Sequence, residues 1–339
     1  MTGAKRSPST SHTAELLEDR GEAAAGDEFF RSRPFFDAEG VTHSLRISAP
    51  ESELLAPLIV RTISGGPERD AISPYGYPGF AFSDRASDLD RTRAGSASDA
   101  PEAVSSKPPL DPMAIDFSGA GLVTAFIRHT LADPPLHGTS ERNVVQIADP
   151  TLPPKSRGSD RNQINKNLRN GYRLRLVPGP ETNTAQRAGF LSAYEQTMRR
   201  TNAAERYFFG APYFDRILES PRTWLALAEA PDGTIAAASI AAGSDGYLHY
   251  YLSGSADSHL RDSPMKNVVA SLVELAAELE MALNLGGGIS RGDRLEEFKR
   301  GFANRELPWH TSELVSDPAA YARLSAGHDA GSFFPAYRV

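Results

Sequence analysis

The sequence predicts a mixed α/β protein of two domains, and three observations support this. Its 339 residues exceed the length of one typical domain. The hydrophobic periods of the C-terminal half follow the order helix, helix, three antiparallel strands, helix, strand, helix. A glycine triplet, Gly286 to Gly288, directly follows the last of those strands. Backbone without side chains can approach a ligand closely and tolerates positive φ, so the triplet marks a candidate site.

Low-complexity sequence divides the chain. Residues 1–28 are rich in small and charged residues without an apolar period, which predicts a disordered tail. We assign residues 29–180 to a first domain that carries a mobile insertion at about residues 84–112, rich in Ser, Ala, Asp and Pro. Residues 181–339 form the predicted second domain.

Periodicity gives the elements of each domain. Short apolar runs predict first-domain strands over residues 43–48, 58–64, 121–129 and 143–148. Helical spacing predicts second-domain helices over residues 182–201 and 212–219, and a further helix that opens at Ser263-Pro264. Strands are predicted over residues 224–229, 234–241, 247–252 and 282–285, the first two joined by a hairpin at Pro231-Asp232-Gly233.

Composition excludes several classes of protein. The chain has no cysteine, which removes disulfides and thiolate catalysis, and no histidine–acid spacing typical of a metal site, so we expect no metal. The net charge of -7 argues against a protein whose whole surface binds nucleic acid, because such a surface would be basic. No apolar run is long enough to span a membrane and no secretory layout opens the chain, so we expect a soluble, cytoplasmic protein.

A short helix is predicted after the glycine triplet. Leu295, Phe298 and Phe302 are spaced three and four apart and share one helical face. Lys299 borders that face, so its ammonium can reach a crevice and neutralise a phosphate or a developing oxyanion. The alternative is a surface lysine whose stem packs while its charge stays in water.

Together these features resemble the FemABX family, the tandem-GNAT transferases that build peptidoglycan cross-bridges from aminoacyl-tRNA. The resemblance covers residues from about 40 to 325. It rests on four segments: the basic stretch 159–172, Tyr194-x-x-Thr197-x-x-Arg200 with the aromatics Tyr207 to Phe214, the run His249 to Ser255, and the triplet followed by Phe298-Lys299-x-x-Phe302. The chain departs from the family in lacking a long coiled-coil arm and in carrying the insertion near residue 100.

The resemblance implies a fold and a reaction. The fold is two GNAT-like domains with mixed sheets flanked by helices. The reaction moves an amino acid from aminoacyl-tRNA to the amine of a peptide or peptidyl small molecule and forms an amide. The acceptor is a cell-wall precursor or, as in some FemAB-like relatives of actinomycetes, a peptide antibiotic. No cofactor is implied, since aminoacyl-tRNA is a co-substrate.

Two alternatives stay open. One is an acyl-CoA-dependent GNAT N-acyltransferase, although the loop His259 to Lys266 has no glycine and Pro264 removes a backbone donor from the phosphate-binding turn. The other is a binding module without catalysis. RNA use favours phosphate contacts from the basic segment and the cofactor-loop cations, namely Lys155, Arg161, Lys166, Arg169, Arg261 and Lys266.

Candidate catalytic residues follow from the chemistry of aminolysis. The resemblance places Lys299 near the reacting ester, where it would stabilise charge. His249, Tyr250 and Asp293 are candidates for a general base, and substrate-assisted deprotonation is an equal alternative. Each also has a structural interpretation: a hydrogen-bonded histidine, a packed strand aromatic and a helix N-cap.

Candidate substrate-binding residues come from both predicted domains. Arg200 and Arg206, beside Tyr213, suit a phosphate or carboxylate of the acceptor, or a solvated helix end. Tyr75 and Tyr77 lie on a Gly/Pro loop of the first domain and suit acceptor contacts or loop packing. The remaining candidates are the triplet itself, Gly286, Gly287 and Gly288, and two aromatic residues of the helix that follows it, Phe298 and Phe302.

Overall fold

The protein is described here from a computed structural model, which covers residues 12–49, 52–84, 109–288 and 290–339. Its strands are β1 (His12–Leu17), β2 (His43–Ser48), β3 (Ser52–Thr62), β4 (Arg69–Ile72), β5 (Ala81–Asp84), β6 (Ile115–Asp116), β7 (Thr124–Arg128), β8 (Ser140–Ala148), β9 (Arg173–Pro178), β10 (Thr223–Glu229), β11 (Ile235–Ser244), β12 (Tyr247–Ser255), β13 (Ala282–Gly286) and β14 (Arg305–Val315). Its α-helices are α1 (Arg33–Glu39), α2 (Gly158–Arg169), α3 (Thr184–Arg200), α4 (Ala211–Ile217), α5 (Met265–Glu278), α6 (Arg294–Arg300) and α7 (Pro318–Ser325). The mixed α/β prediction is confirmed.

The chain divides into two compact units whose limits differ from the predicted domains. Unit 1 contains Gly40–Ser140, His310–Val339 and the described part of the first 26 residues, whereas unit 2 contains Asp27–Glu39 and Glu141–Trp309. The predicted boundary near residue 180 therefore falls inside unit 2. The reason is strand pairing, because β8 pairs with β13 and β9 pairs with β10.

Unit 1 is built on a mixed sheet with the strand order β6-β1-β2-β3-β4-β7-β14, and β5 pairs with β3. Its core includes Leu45, Leu58 and Ile127, which are all almost fully buried. The predicted tail is wrong from residue 12 onward, since β1 pairs antiparallel with β2 from Thr13 to Leu17. Residues 85–108, most of the predicted insertion, lie outside the described residues.

Unit 2 carries the sheet order β8-β13-β12-β11-β10-β9. Helix α5 packs on one face, where Val268 and Leu272 meet Leu248 and Leu283 in the core. Helix α3 packs closely against β12 at Gly254. A Cβ there would lie 2.4 Å from backbone atoms of Tyr194, so this position requires glycine.

The predicted helices of unit 2 begin and end close to where their caps place them. Helix α3 opens with a capping box between Asn183 and Gln186. Helix α5 has Pro264 at its N-cap. The segment of residues 27–39, which was assigned to the tail and the first domain, belongs to unit 2 instead. Its Phe30 ring lies 4.9 Å from His249 and 5.6 Å from the Tyr251 ring, so aromatic packing holds the segment there.

Candidate active site

The candidate site in unit 2 lies where two parallel strands separate. Strand β13 pairs with β12 at only three positions, Tyr247 to His249 of β12. Beyond them β12 runs on to Ser255 beside β11, while β13 ends at Gly286. The separation leaves the end of β13 and the glycines after it without a strand on the β12 side.

The three glycines of the triplet are required for two different reasons, backbone conformation and close packing. Gly286 has a φ of 74°, a left-handed conformation that side chains disfavour. A Cβ on Gly287 would lie 2.4 Å from Asn143, and one on Gly288 would lie 2.5 Å from the Asp293 carboxylate. Asn143 also donates from Nδ2 to the Gly288 carbonyl at 3.1 Å. The triplet is therefore a closely packed turn with a fixed backbone.

Lys299 is buried against this turn. Its side chain is 8% exposed, and its Nζ donates to the Gly287 carbonyl at 2.6 Å. Burial lowers the pKa of the Lys299 ammonium to about 8, and the Asp293 carboxylate opposes that shift. The alternative of a surface lysine whose charge stays in water is therefore wrong. The predicted apolar face is only partly buried, since Leu295 is 40% exposed.

Asp293 serves as the N-cap of α6. Its carboxylate accepts hydrogen bonds from the backbone N–H of Glu296 at 2.8 Å and from that of Ser290 at 3.0 Å. The structure thus gives Asp293 the capping interactions expected of an aspartate in this position. These bonds fix the start of the short helix that carries Lys299.

His249 makes hydrogen bonds at both ring nitrogens. Nε2 lies 3.2 Å from the Ser244 carbonyl, and Nδ1 lies 3.0 Å from Nδ2 of Asn284. This arrangement suits a neutral ring that donates from Nε2 and accepts at Nδ1. Burial lowers the pKa of His249 to about 4. Its surroundings match the hydrogen-bonded structural interpretation.

Tyr250 faces the core under α5, and burial raises the pKa of its phenol to about 12. Tyr213 lies in a separate polar group, where its hydroxyl donates to Glu39 at 2.7 Å and meets the Tyr251 hydroxyl at 2.8 Å. Burial raises the pKa of Tyr213 well above its ordinary value. Both phenols therefore stay protonated near neutral pH.

The other predicted acceptor residues are dispersed. Arg200 contacts Asp257 and the Ser255 carbonyl, and exposed Arg206 lies over the Tyr207 ring at 5.0 Å. Tyr75 and Tyr77 belong to unit 1. Phe298 and Phe302 are ring neighbours, with centroids 5.6 Å apart, and both pack with the core beneath α5.

A cavity of about 300 Å³ lies beside α6. Its lining consists of Arg157, Asp160, Lys266, Arg294, Glu297 and Phe298. Lys266 pairs with Asp160 at 2.9 Å, and exposed Arg294 has no carboxylate partner among the described residues. Three cations facing two carboxylates leave one excess positive charge. Sequence reasoning identified only Lys266 and Phe298 here, because the other members lie far apart in the chain.

Side chains of α2 fill the loop that precedes α5. Asn167, fully buried, donates to the Asp262 carbonyl at 2.8 Å, and Gln163 donates to the same carbonyl at 3.1 Å. Tyr172 donates to the Asp262 carboxylate at 2.9 Å. These bonds hold the oxygen acceptors of Asp262 in place. In the same loop, where an acyl-CoA enzyme would cradle a pyrophosphate on backbone N–H groups, Pro264 has no N–H to donate.

The basic segment is exposed on α2 and around it. Lys155, Lys166 and Arg169 are exposed and make no ion pair among the described residues. Arg161 is exposed and donates to the Ser156 carbonyl, and Arg261 is exposed in the loop before α5. Most of the predicted RNA-binding cations are thus accessible. The described ranges hold no group of acidic or histidine side chains that suits a metal ion, and none of their helices is long and apolar enough to cross a membrane.

Comparison with known proteins places this site in a family context. Residues 154–300 match the family model described as the Acetyltransferase (GNAT) domain. The chain is similar to the crystal structure of FemX, with 10% identity and a TM-score of 0.58 over 91% of this chain and 99% of that one. It is also similar to the C-terminal domain (DUF2156) of a putative lysylphosphatidylglycerol synthetase from Agrobacterium fabrum, with 16% identity and a TM-score of 0.53 over 89% and 92% of the two chains.

No curated protein sequence matches the chain significantly. At these identities the two structural likenesses establish the fold, while the family match identifies the domain that contains α2, the glycine triplet and Lys299. The chain thus has a mixed α/β fold similar to that of FemX, and its residues 154–300 match the GNAT domain family.

Proposed function

We propose that this protein is an aminoacyltransferase that moves an amino acid from aminoacyl-tRNA to the amine of a peptide or peptide-like small molecule. The observation that carries the proposal is the buried Lys299, whose ammonium contacts the carbonyl of Gly287 in a fixed glycine turn. An ammonium in such a place interacts strongly with a nearby negative charge, because little water screens it.

The reaction needs few groups. The acceptor amine attacks the ester carbonyl carbon, the new C–N bond forms, and negative charge builds on the carbonyl oxygen. Lys299 has two N–H donors besides the one directed at Gly287, and these can stabilise that oxyanion. The C–O bond to the ribose then breaks, and the proton lost by the amine ends on the ribose oxygen. A lysine with a pKa of about 8 also suits donation of a proton to that oxygen.

The cavity beside α6 favours a donor with one phosphodiester. Its one excess positive charge and its volume of about 300 Å³ match a single phosphate with an adjoining sugar better than the several phosphate charges of CoA. The Phe298 side chain in its lining offers a surface for a base to stack on. The accessible cations of α2 suit further phosphates of an RNA stem.

The acyl-CoA-dependent N-acyltransferase is the second candidate, because the GNAT family match favours it. Against it stand Pro264, which offers no backbone N–H in the turn before α5, and the pairing of Lys266 with Asp160. The acceptor, whether a cell-wall precursor or a peptide antibiotic, stays a prediction from the family resemblance.

A competition experiment separates the two donors. A labelled aminoacyl-minihelix RNA is bound to the protein at low and moderate salt, and acetyl-CoA is titrated against it. Our proposal predicts RNA binding that weakens with salt and ignores acetyl-CoA. Saturable acetyl-CoA binding without RNA binding would replace aminoacyl-tRNA by acyl-CoA as the donor.

The basic segment supplies a matched pair of variants for the same assay. Lys166→Gln with Arg169→Gln should weaken RNA binding and reduce the salt slope by roughly 0.7 to 0.9 per lost contact. Arg33→Gln with Arg216→Gln also removes two helical cations, which are paired with Asp37 and Glu219. This control should leave binding and slope unchanged.

A further inference from the structure

Gln146 is a buried amide at the edge of the candidate site, and no motif in the sequence marks it. Its side chain is 1% exposed. In the pairing of β8 with β13, Gln146 lies opposite Gly286, the first glycine of the triplet. Residues opposite one another in a sheet have Cα atoms about 4.5 to 5.5 Å apart, so Gln146 borders the turn that Lys299 contacts.

The amide of Gln146 is fixed but only half satisfied. Nε2 donates to Oε1 of Glu306 at 3.0 Å, whereas Oε1 is buried without a hydrogen-bond partner among the described residues. Rotating the amide would place its oxygen against the Glu306 carboxylate, so the orientation is determined. A buried, unpaired acceptor weakens folding, and an apolar side chain would avoid that cost. The bond from Nε2 to Glu306 is thus the contact that an amide supplies at this position.

Glu306 links Gln146 to the helix that carries Lys299. The same Glu306 oxygen lies 3.4 Å from Nε of Arg300, and Arg300 also pairs with the buried Glu296. We call this set the clasp: Gln146, Glu306, Arg300 and Glu296. The clasp ties the C-terminal end of α6 to β8 and β14.

Helix α6 depends on its two ends because it is only seven residues long. Isolated helices of this length have little stability of their own. Asp293 fixes the start of α6 through its capping bonds, and the clasp fixes the end, next to Lys299. A shift of the end would move the Lys299 ammonium away from the Gly287 carbonyl.

We propose that Gln146 is a positioning residue that, through the clasp, holds Lys299 against Gly287 in the geometry needed for acyl transfer. Its catalytic consequence rests on the proposed function, whereas its effect on Lys299 does not. The structural effect is therefore measurable without a substrate.

The test is Gln146→Met, which keeps the side-chain length and removes both polar groups of the amide. NMR titration of the ¹³Cε shift of Lys299 should show its pKa rising from about 8 toward the ordinary 10.5, because the loosened ammonium regains water. With an aminoacyl-minihelix as donor and hydroxylamine as acceptor, kcat should fall about tenfold to a hundredfold. An unchanged Lys299 pKa overturns the proposal, whatever happens to the rate.

A second variant keeps the test informative if Gln146→Met does not fold. Glu306→Gln alters a half-exposed residue, weakens the link to Arg300 and should move the Lys299 pKa in the same direction by less. Gln196→Met, which removes a glutamine of α3 far along the chain, should leave the pKa and the rate unchanged. Transfer that survives Lys299→Met would remove the catalytic role of Lys299, while the titration would still decide the positioning role of Gln146.

Discussion

Asp70 in unit 1 and Lys299 in unit 2 are both buried charges, but their surroundings differ. Asp70 is fully buried and accepts from Arg61 at 2.9 Å and from two nitrogens of Arg338 at 2.8 and 2.9 Å. Lys299 has one neutral carbonyl as its hydrogen-bond acceptor, and no carboxylate lies within ion-pair distance of it in the described part of the chain.

The difference separates a structural charge from the one to which our proposal gives a role in catalysis. A carboxylate surrounded by two guanidinium groups is compensated and ties the C-terminal residues to β3 and β4. The hydrogen bond to Asp70 raises the pKa of Arg338, which strengthens this role. The Asp293 carboxylate raises the pKa of Lys299 but does not offset its burial, so the ammonium keeps part of its field available for another negative charge.

The largest expected effect is on folding. Asp70→Asn leaves two guanidinium groups around a neutral amide, so we expect the free energy of unfolding to fall by about 3 to 5 kcal/mol. Urea denaturation followed by circular dichroism measures this loss. Glu68→Gln, which alters the partly exposed ion pair with Arg323, should cost under about 1 kcal/mol and serves as the control. Equal losses for both variants would refute the compensated-charge interpretation.

The second effect is on transfer. Lys299→Met should reduce aminoacyl transfer to hydroxylamine by about a hundredfold to a thousandfold, as expected for losing one electrostatic contact to an oxyanion. Binding of the aminoacyl-minihelix should change by less than about threefold, since the cavity cations remain. A large loss of RNA binding with an unchanged transfer rate would assign Lys299 to donor binding instead.

The third effect is a gain in stability, whereas Asp70→Asn causes a loss. The folded state holds Lys299 at a pKa of about 8 against an ordinary 10.5, so burying the ammonium costs about 3 kcal/mol at pH 7, and Lys299→Met should recover about 2 to 3 kcal/mol. Between pH 8 and 10.5 the unfolded state binds the extra proton, so the wild-type protein gains stability as pH rises. The advantage of Lys299→Met should shrink over that window, and a constant advantage in urea denaturation would contradict the assigned pKa.

The smallest effect distinguishes two roles of Asp293, the N-cap of α6 and the general base. Asparagine also caps helices well, so Asp293→Asn should keep α6 and change transfer by less than about threefold. Because the Asp293 carboxylate raises the pKa of Lys299, its removal should lower that pKa below about 8. A loss of transfer of a hundredfold or more would instead identify Asp293 as the general base.

The sequence predicted what depends on local patterns. The periodicity of residues 182–201, the proline before α5 and the aspartate before α6 placed these helices within two residues of their observed starts. The glycine triplet pointed to the turn that Lys299 contacts. It did not reveal the burial of Lys299, because that depends on where α6 ends and on which strands lie beneath it.

Long-range contacts account for the other misses. Residues 12–17 read as a tail because their partner strand β2 begins at His43, and residues 27–39 join unit 2 through contacts with β12. Gln146 and Asn143 reach the candidate site only through the pairing of β8 with β13, and Arg157 and Arg294 meet only at the cavity. The spacing of residues over short stretches of sequence does not predict these long-range contacts.

The pH dependence of single-turnover transfer reports on the protonation state of Lys299 during the reaction. Wild-type protein and Lys299→Met are mixed with aminoacyl-minihelix and with hydroxylamine, an amine that stays uncharged over the upper pH range. If the buried Lys299 ammonium drives the reaction, the wild-type rate should fall with an apparent pKa of about 8 as the ammonium loses its proton, and Lys299→Met should follow the uncatalysed rate. A wild-type rate that stays flat through pH 9, or a variant that keeps the wild-type profile, would contradict the account.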